Sequence, residues 1–446
     1  MTTPLTPDRL DRPFHDPLFD QLFPTLPSGV HWGLERVEAA LEALGNPHRG
    51  IPTIHVGGTN GKGSVASTCA NILTRAGHRT GLYTSPHLCS ITERFQVGGV
   101  PLSADRLIQL ADEIRGPVIK HGLTFFEAST VLALHAFAAE KVAIQVIEVG
   151  LGGRLDATNV VEPSVTVLTN VALDHADFLG DSLAGIAVEK AGILKSGVPA
   201  VTAESGRDAL EVFRTRAREV GARLTEVDPA WLGALEVRED HTAFTMDTRV
   251  WGMLKIEMAL VGGHQASNAA LAVLALERLP EALMPSREQL LHGLATVSWP
   301  GRDQIEHMDD GVWLLDVAHN VAGVESLVAV LDRLDLPAPH VAVVGVLGDK
   351  SWGDMLPPLL DRVDAAVLTQ PPSAPEGRRW DPDEAGARAR RLRPQASLEV
   401  IEDFPAALKR ARALAGRGTV VVTGSCHTVG DALTAIGRVP FAGPSA

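Results

Sequence analysis

Short apolar runs rich in β-branched residues alternate with Ala-, Leu- and Arg-rich segments along nearly the whole chain, and this alternation constrains the fold most strongly. The apolar runs predict strands at 53–56, 143–149, 165–170, 198–202, 312–317, 341–346, 365–368 and 419–423. The segments between them predict helices at 65–76, 104–114, 126–141, 182–192, 207–220, 267–279, 321–334, 405–414 and 431–436. Strands that take turns with helices indicate parallel sheets covered by helices. A run that is apolar throughout, such as 341–346, indicates a strand buried on both faces.

A glycine-rich turn, IHVGGTNGKGS at 54–64, joins the first predicted strand to the first predicted helix. Backbone N–H groups and a helix start attract an anion in such a turn, and Lys62 adds a mobile positive charge. The usual pattern G-x-x-x-x-G-K-[ST] is met imperfectly, since Val56 replaces the first glycine and Gly63 separates Lys62 from Ser64. The segment predicts a nucleotide phosphate site, with a plain strand–helix turn as the alternative.

The length of 446 residues is too great for one hydrophobic core and predicts two domains. We place the boundary between residues 297 and 298, because a fresh strand–helix alternation begins after the SWPGR segment. The expected fold class is α/β: an N-terminal P-loop domain (1–297) with a mainly parallel sheet and a small antiparallel edge, then a C-terminal Rossmann-like domain (298–446). The stretch 224–258 predicts antiparallel hairpins at the edge of the first domain, and 370–380 predicts a surface loop.

The composition excludes several classes of protein. A formal net charge of -14 argues against a general nucleic-acid binder, which needs a basic face. The three cysteines lack metal-ligand spacing and are too few for a disulfide framework, which favours a reducing cytoplasm. The polar segment 1–13 does not read as a signal peptide, and no apolar run approaches the ~20 residues of a membrane helix, so we expect no membrane association.

Polar residues follow several predicted strands of the first domain, at the edge where open α/β sheets bind ligands. Glu148 ends one strand, and a carboxylate beside a phosphate loop suits Mg²⁺, although it could also cap the next turn. Asp174 and His175 follow another strand, where the histidine could ligate a metal and the carboxylate orient it. Lys190 lies at the end of a predicted helix, and this position indicates no more than a favourable interaction of its charge with the helix dipole.

The second half of the chain repeats this arrangement. Asp316 and His319 follow a predicted strand, and Ser425 lies in a hydroxyl-rich turn that could bind a carboxylate at a helix start. Arg302, at the domain junction, could reach a phosphate from the far side. A cleft between the two domains is therefore the expected site.

These segments, in this order, resemble the folylpolyglutamate synthase/dihydrofolate synthase family, relatives of the Mur ligases of cell-wall synthesis. The matching stretches are GTNGKGS at 58–64, TSPHL at 84–88, FE at 126–127 after Thr124, EVGLGGRLDATN at 148–159, LDHADFLG at 173–180, EKAGI at 189–193, GHQASN at 263–268, PGR at 300–302, DVAHN at 316–320 and TGSCHTVG at 423–430. The set is highly specific, although no single member is. The resemblance implies an ATP-dependent ligase that joins L-glutamate to the carboxylate of dihydropteroate or of a folate through an acyl phosphate. Its partners would be small molecules only, and the family suggests a monomer.

The resemblance also implies roles for individual residues. The ATP contacts are Thr59, Asn60, Gly61, Lys62, Gly63, Ser64, Asn268, Arg302 and Asp316. The ligands of Mg²⁺, as one ion or two, are Ser85, Glu148 and His175. The substrate contacts are Phe126 against the pterin, Asp156, and His319 and Ser425 near the incoming glutamate. Lys190 matches a position that the family carbamylates, and it joins Lys62, Arg302 and His319 in the catalytic group.

The chain departs from the family pattern at two positions. Val317 stands where the family usually has glycine, so the turn beside Asp316 is expected to differ slightly, and Ser351 stands where an aspartate is common. Neither change removes a predicted ligand. The rival hypotheses are a Mur-type ligase that acts on a UDP-linked precursor and a non-catalytic protein that uses ATP as a switch.

Overall fold

The first sheet of the computed structural model, which describes residues 17–23, 26, 31–174 and 176–441, has eight strands. They are β1 (Thr53–Gly57), β2 (Thr80–Tyr83), β3 (Phe95–Val97), β4 (Val100–Pro101), β5 (Ile144–Glu148), β6 (Val165–Leu168), β7 (Ala200–Thr202) and β8 (Leu224–Glu226). Their order across the sheet is β4-β3-β2-β5-β1-β6-β7-β8. In this spatial order, every neighbouring pair from β2 across to β8 is parallel. At the other edge, β3 pairs antiparallel with both β2 and β4. β1 therefore lies in the middle, with the phosphate loop at its carboxyl end.

Helices cover both faces of this sheet. They are α1 (Pro17–Leu22), α2 (Glu35–Ala43), α3 (Lys62–Arg75), α4 (Ala104–Lys120), α5 (Phe125–Ala139), α6 (Ala176–Leu179), α7 (Leu183–Ala191), α8 (Arg207–Val220), α9 (Gly263–Leu276) and α10 (Arg287–Ala295). The apolar residues of α3, α9 and α10 share one core, and those of α2, α4 and α5 share the core on the opposite face. α3 begins at Lys62, earlier than the predicted 65, so Gly63 and Ser64 lie in its first turn. The open N–H groups of that turn thus face the end of β1.

The predicted hairpins of 224–258 form a separate antiparallel sheet, apart from β8, which joins the first sheet. Its strands are β9 (Leu232–Val237), β10 (Thr242–Thr248) and β11 (Gly252–Met258), in the order β11-β10-β9. Alternate residues of β10, such as Phe244 and Met246, are buried and belong to the core of α3 and α9. The hairpin prediction is thus confirmed for 232–258 and wrong for 224–226, and the hairpin strands pack on helices instead of extending the main sheet.

The second domain is built on a six-stranded sheet, in the order β12-β13-β17-β14-β15-β16. Its strands are β12 (Gln304–Met308), β13 (Gly311–Leu315), β14 (His340–Val344), β15 (Ala365–Leu368), β16 (Leu398–Val400) and β17 (Thr419–Thr423). Its helices are α11 (Val321–Arg333), α12 (Trp352–Leu360), α13 (Pro382–Leu392), α14 (Phe404–Ala415) and α15 (Cys426–Ala435). In this sheet β12 and β13 pair antiparallel, and the other neighbouring strands pair parallel. The predicted two-domain α/β fold is confirmed, and β14 is buried from Val341 to Val344, as its apolar run predicts. The boundary between residues 297 and 298, which lies between α10 and β12, stays a prediction.

Several helices of the described residues were not predicted from the sequence: α1, α2, α6, α10, α12 and α13. α12 contains Pro357 and Pro358, which argue against a helix interior, yet its buried face packs on the second sheet. α13 starts with Pro382 in its first turn, where the missing N–H costs nothing. The loop prediction for 370–380 is correct for the backbone, but Trp380 at its end is buried and donates from Nε1 to the carbonyl oxygen of Thr369 at 2.9 Å. The loop is thus anchored to the core at one end.

Candidate active site

A cleft between the two domains gathers most of the predicted site residues. Its walls include every predicted ATP contact, namely Thr59, Asn60, Gly61, Lys62, Gly63, Ser64, Asn268, Arg302 and Asp316. They also include Ser85, Glu148, Lys190 and His319. These residues come from the carboxyl ends of β1, β2, β5 and β13, from α7 and α9, and from the segment before β12. The parallel strands place their ends at one edge, as open α/β sheets do.

The phosphate loop is held in a left-handed conformation by glycines. Gly58 has φ +139° and Gly61, the N-cap of α3, has φ +81°. A Cβ at position 61 would lie 2.5 Å from Oδ1 of Asn268, so the loop and α9 approach too closely for a side chain there. The loop is tied to the end of β6 by the backbone N–H of Asn60, which donates to Oδ1 of Asn170 at 2.9 Å. The geometry leaves the first turn of α3 facing the cleft, which is an anion site.

Lys62 and Glu148 face the same cleft with opposite charges. Nζ of Lys62 donates to the carbonyl oxygen of Thr59 at 3.0 Å, and burial lowers the pKa of this lysine against the attraction of Glu148. Burial raises the pKa of Glu148, and the charge of Lys62 and the backbone N–H of Ser85, which donates to Oε2 at 3.0 Å, act in the opposite direction. The positive charge of Lys62 and the negative charge of Glu148 therefore stabilise each other, and hydrogen bonds to the surrounding backbone stabilise both.

The oxygen groups beside Glu148 fit a hard cation. The hydroxyl of Ser64 is buried without a hydrogen-bond partner among the described residues, and Ser85 also lines the cleft. A carboxylate and hydroxyl oxygens are the donors that Mg²⁺ prefers. His175, the third predicted ligand, lies outside the described residues. Within the ranges that the structure describes, no group of three or more His, Cys, Asp or Glu side chains converges on one point.

Lys190 is buried and points at the phosphate loop. It is only 4% exposed, and its Nζ donates to the carbonyl oxygen of Gly58 at 2.8 Å. Burial, and secondly the charge of Lys62, lower the pKa of Lys190 to about 7. Its sequence position alone indicated no more than a complement to the helix dipole, and the contact with the phosphate loop is a feature that this position does not reveal.

The second-domain wall is built around Asp316. Its two carboxylate oxygens accept from the backbone N–H groups of Asp303 at 3.0 Å and Ala318 at 2.9 Å. Val317 makes this turn without a positive φ, and its N–H donates to the carbonyl oxygen of Gly301 at 3.0 Å. The replacement of glycine therefore leaves Asp316 facing the cleft.

Three predicted substrate residues lie outside the walls of the cleft. Ser425 is buried at the start of α15, where its hydroxyl donates to the carbonyl oxygen of Gly345 at 3.1 Å and accepts from the N–H of Thr428. Asp156 is buried behind the loop after β5, and its oxygens accept from the N–H groups of Leu151 and Thr158. Burial raises the pKa of this carboxyl group.

Phe126, the third of these residues, packs beneath the loop that follows β5. A Cβ at Gly150 would lie 2.2 Å from its ring, and the ring centroid is 6.4 Å from that of Tyr83. Since Gly150 lines the cleft, Phe126 lies directly behind the cleft wall. Its ring therefore packs against the loop that forms this part of the wall.

Several residues of the cleft were missed or undervalued by the sequence analysis. Asp303 is 1% exposed, and neither carboxylate oxygen has a hydrogen-bond partner in the described part of the chain. Its Oδ2 lies 3.5 Å from Nε2 of His264, and burial followed by the charge of Asp316 raises its pKa well above the usual value. Lys350 reaches Asp174 from the second domain. The DK pair at 349–350 was visible in the sequence, but nothing in its spacing indicated a partner 176 residues away.

Comparison with known proteins agrees with this geometry. Residues 56–276 match the Mur ligase middle domain, and residues 301–426 match the Mur ligase, glutamate ligase domain. The chain is 36% identical over 338 residues to the dihydrofolate synthase/folylpolyglutamate synthase of Bacillus subtilis, covering 74% of this chain and 78% of the relative.

Solved structures give the same result. The Mycobacterium tuberculosis folylpolyglutamate synthase complexed with ADP superposes with a TM-score of 0.84 at 32% identity, covering 91% of this chain and 95% of that one. The E. coli FolC protein in complex with DHPP and ADP gives a TM-score of 0.83 at 32% identity, covering 95% and 98%. The fold and the cleft are those of an ATP-dependent ligase of the Mur type. Within that class, the chain belongs to the folylpolyglutamate synthase/dihydrofolate synthase family. No helix within the described ranges combines the length and apolar character that a membrane span needs.

Proposed function

We propose that this enzyme uses ATP to join L-glutamate to the carboxylate of dihydropteroate and of reduced folates. The observation that carries the proposal is the convergence of Lys62, Glu148 and Arg302, from both domains, around the open first turn of α3. That arrangement stabilises negative charge on a transferring phosphoryl group. The names of the Bacillus subtilis relative and of the E. coli complex with DHPP and ADP support both acceptors.

The reaction proceeds through an acyl phosphate. The acceptor carboxylate attacks the γ-phosphorus of ATP, ADP leaves, and the amine of glutamate then attacks the acyl carbon with loss of phosphate. Lys62 and Arg302 draw charge from the transferring group, and His319 lies on the second-domain side where the amine must enter. Most of the catalysis is positioning, because the substrates supply the reacting atoms. Contact between the domains excludes water, which would hydrolyse the acyl phosphate.

Glu148, Ser85 and Ser64 would hold Mg²⁺, with His175 as a further proposed ligand. The ion would supply positive charge to the phosphate oxygens of ATP. Lys190, with a pKa of about 7, carries enough neutral amine near neutral pH to react with CO₂, so we propose that it is carbamylated. The resulting anion would face the same side of the phosphate loop as Glu148.

Phe126 and Asp156 are proposed to shape the acceptor side through the loop after β5, where Gly150 separates Phe126 from the cleft. Ser425 is proposed to orient the start of α15 toward the carboxylates of glutamate. The chain is proposed to act as a monomer, as the family resemblance suggests. Its three free cysteines fit the proposed reducing cytoplasm.

The test is ADP release in the presence of Mg-ATP and L-glutamate, with dihydropteroate, tetrahydrofolate or no acceptor. Release with both acceptors supports a bifunctional enzyme, and release with one names a monofunctional enzyme. No stimulation by either acceptor would contradict the proposal. Stimulation by a UDP-linked precursor instead would favour the Mur-type alternative, and ATP binding without turnover would favour a nucleotide-dependent switch.

A further inference from the structure

Asp174, in the loop after β6, contacts the second domain through both carboxylate oxygens. Oδ1 lies 2.5 Å from Nζ of Lys350, and the two side chains are 8% and 6% exposed. Oδ2 lies 3.3 Å from Nε2 of His319 and accepts from Nδ2 of Asn320 at 3.2 Å. A buried carboxylate that meets three partners from another domain is costly to leave unpaired. Separation of the domains would therefore expose this charge to water or leave it buried without its partners.

Asn320 extends the same contact to the phosphate loop. Its Nδ2 donates to Oδ1 of Asn60 at 2.9 Å, and its Oδ1 accepts from Nδ2 of Asn60 at 3.2 Å. The same Oδ1 accepts from the N–H of Gly323 at 2.8 Å and so caps α11. The loop that binds phosphate, the start of α11 and Asp174 thus form one connected set of hydrogen bonds across the domain boundary.

We propose that Asp174 is a positioning residue that holds the second domain against the phosphate loop, and that its pairing with Lys350 keeps the cleft closed while the acyl phosphate exists. The inference rests on the proposed function and concerns a residue to which no substrate contact is assigned. Asp174 acts through Lys350, His319 and Asn320, of which His319 lines the cleft. A displacement of His319 by a fraction of a side-chain length would be enough to misalign the incoming amine.

A loosened closure has a specific kinetic signature. If water enters before glutamate attacks, the acyl phosphate is hydrolysed and ADP is released without formation of an amide. The ratio of ADP released to glutamate incorporated should be close to unity in the wild type. In Asp174→Asn we expect this ratio to rise at least about threefold, and the rate of amide formation to fall roughly 10-fold or more.

The experiment measures that ratio for the wild type, Asp174→Asn, Lys350→Met and the double variant. The double variant should show less than the sum of the two single effects, because both substitutions act on the same contact. The matched control is Glu399→Gln with Arg410→Met. These residues form an exposed ion pair within the second domain, and the substitutions change the charge in the same way. Its ratio should stay at the wild-type value. Additive effects in the double variant, or a ratio in Asp174→Asn that equals the control, would overturn the inference.

A second measurement does not depend on the reaction. Small-angle scattering with ADP and Mg²⁺ should give a larger radius of gyration for Asp174→Asn than for the wild type and the control variants. Equal radii would contradict the inference. If the wild type showed no acceptor-dependent ADP release, the proposed function would fail, and the radii would still decide whether Asp174 holds the domains together.

Discussion

The amine of Lys190 donates to the carbonyl oxygen of Gly58 at 2.8 Å, which places a buried lysine against the backbone of the phosphate loop. Since the pKa of Lys190 is lowered to about 7, its neutral fraction rises as the pH rises through 7. Reaction with CO₂ requires the neutral amine. The carbamate should therefore form more readily at pH 8 than at pH 6.

The measurement for Lys190 is carbon-13 NMR of the enzyme in labelled bicarbonate at both pH values. Lys190→Arg keeps the positive charge but cannot be carbamylated, and we expect it to lose the signal and on the order of 10²-fold in turnover. Lys195→Arg is the control, because Lys195 is a nearby, partly buried lysine that donates to the carbonyl oxygen of Asn159 instead. Full activity of Lys190→Arg would rule out a role for the carbamate.

Gly61→Ala should weaken nucleotide binding. The new Cβ would lie 2.5 Å from Oδ1 of Asn268, and the φ of +81° is itself unfavourable for alanine. Gly45→Ala is a matched control, because Gly45 has φ +79° and open space around its Cβ position. Both variants should lose about 1 kcal/mol of stability from the backbone conformation. Only Gly61→Ala should raise the dissociation constant for ADP, measured by calorimetry; equal affinities in both variants would show that the contact with Asn268 is unimportant.

Glu148→Gln should weaken the binding of Mg²⁺ and lower turnover. The substitution removes the charge opposite Lys62 but keeps an oxygen that can accept from the N–H of Ser85. We expect turnover to fall on the order of 10²-fold and the Mg²⁺ concentration for half-maximal activity to rise. Chelation of the metal should abolish ADP release by the wild type. An unchanged Mg²⁺ titration in Glu148→Gln would remove Glu148 from the proposed ligands.

Asp303→Asn should stabilise the protein at neutral pH. Burial and the charge of Asp316 raise the pKa of Asp303 in the folded state above its usual value of 3.8, while Arg302 opposes the shift. The folded protein then binds this proton more tightly than the unfolded chain does, so the stability from the protonated form is lost as the pH rises from about 4 through the folded-state pKa. His264, the other titratable group beside it, carries a pKa lowered by burial.

Urea unfolding as a function of pH measures this effect. The difference in the free energy of unfolding between Asp303→Asn and the wild type should grow with pH, to on the order of 1–3 kcal/mol in favour of the variant. Asp361→Asn serves as the control, because Asp361 forms an exposed pair with Arg393. A wild type that is more stable than Asp303→Asn at pH 8 would show that the carboxylate has a partner that the structure does not place there.

Sequence patterns located most of the cleft because the relevant signals are local. The phosphate loop, Glu148 and Asp316 each follow a predicted strand, and parallel strands bring their ends together. α12 was missed because its local signals conflict: Pro357 and Pro358 lie inside the helix, and its burial against the second sheet compensates for them. The same limit applies to Trp380, which is buried at the end of a polar segment.

Local sequence was enough to predict the alternation of strands and helices, the phosphate loop and the polar residues at the strand ends, because periodicity and turn chemistry depend on neighbouring residues. Which distant groups meet depends on how the chain packs in three dimensions. This packing buried Lys190 against Gly58, left the carboxylate oxygens of Asp303 with no hydrogen-bond partner among the described residues, and joined Asp174 to Lys350 across the domain boundary. The physical reason is that burial and electrostatic pairing depend on distances in space, and a linear pattern carries no information on which surfaces of two domains come into contact.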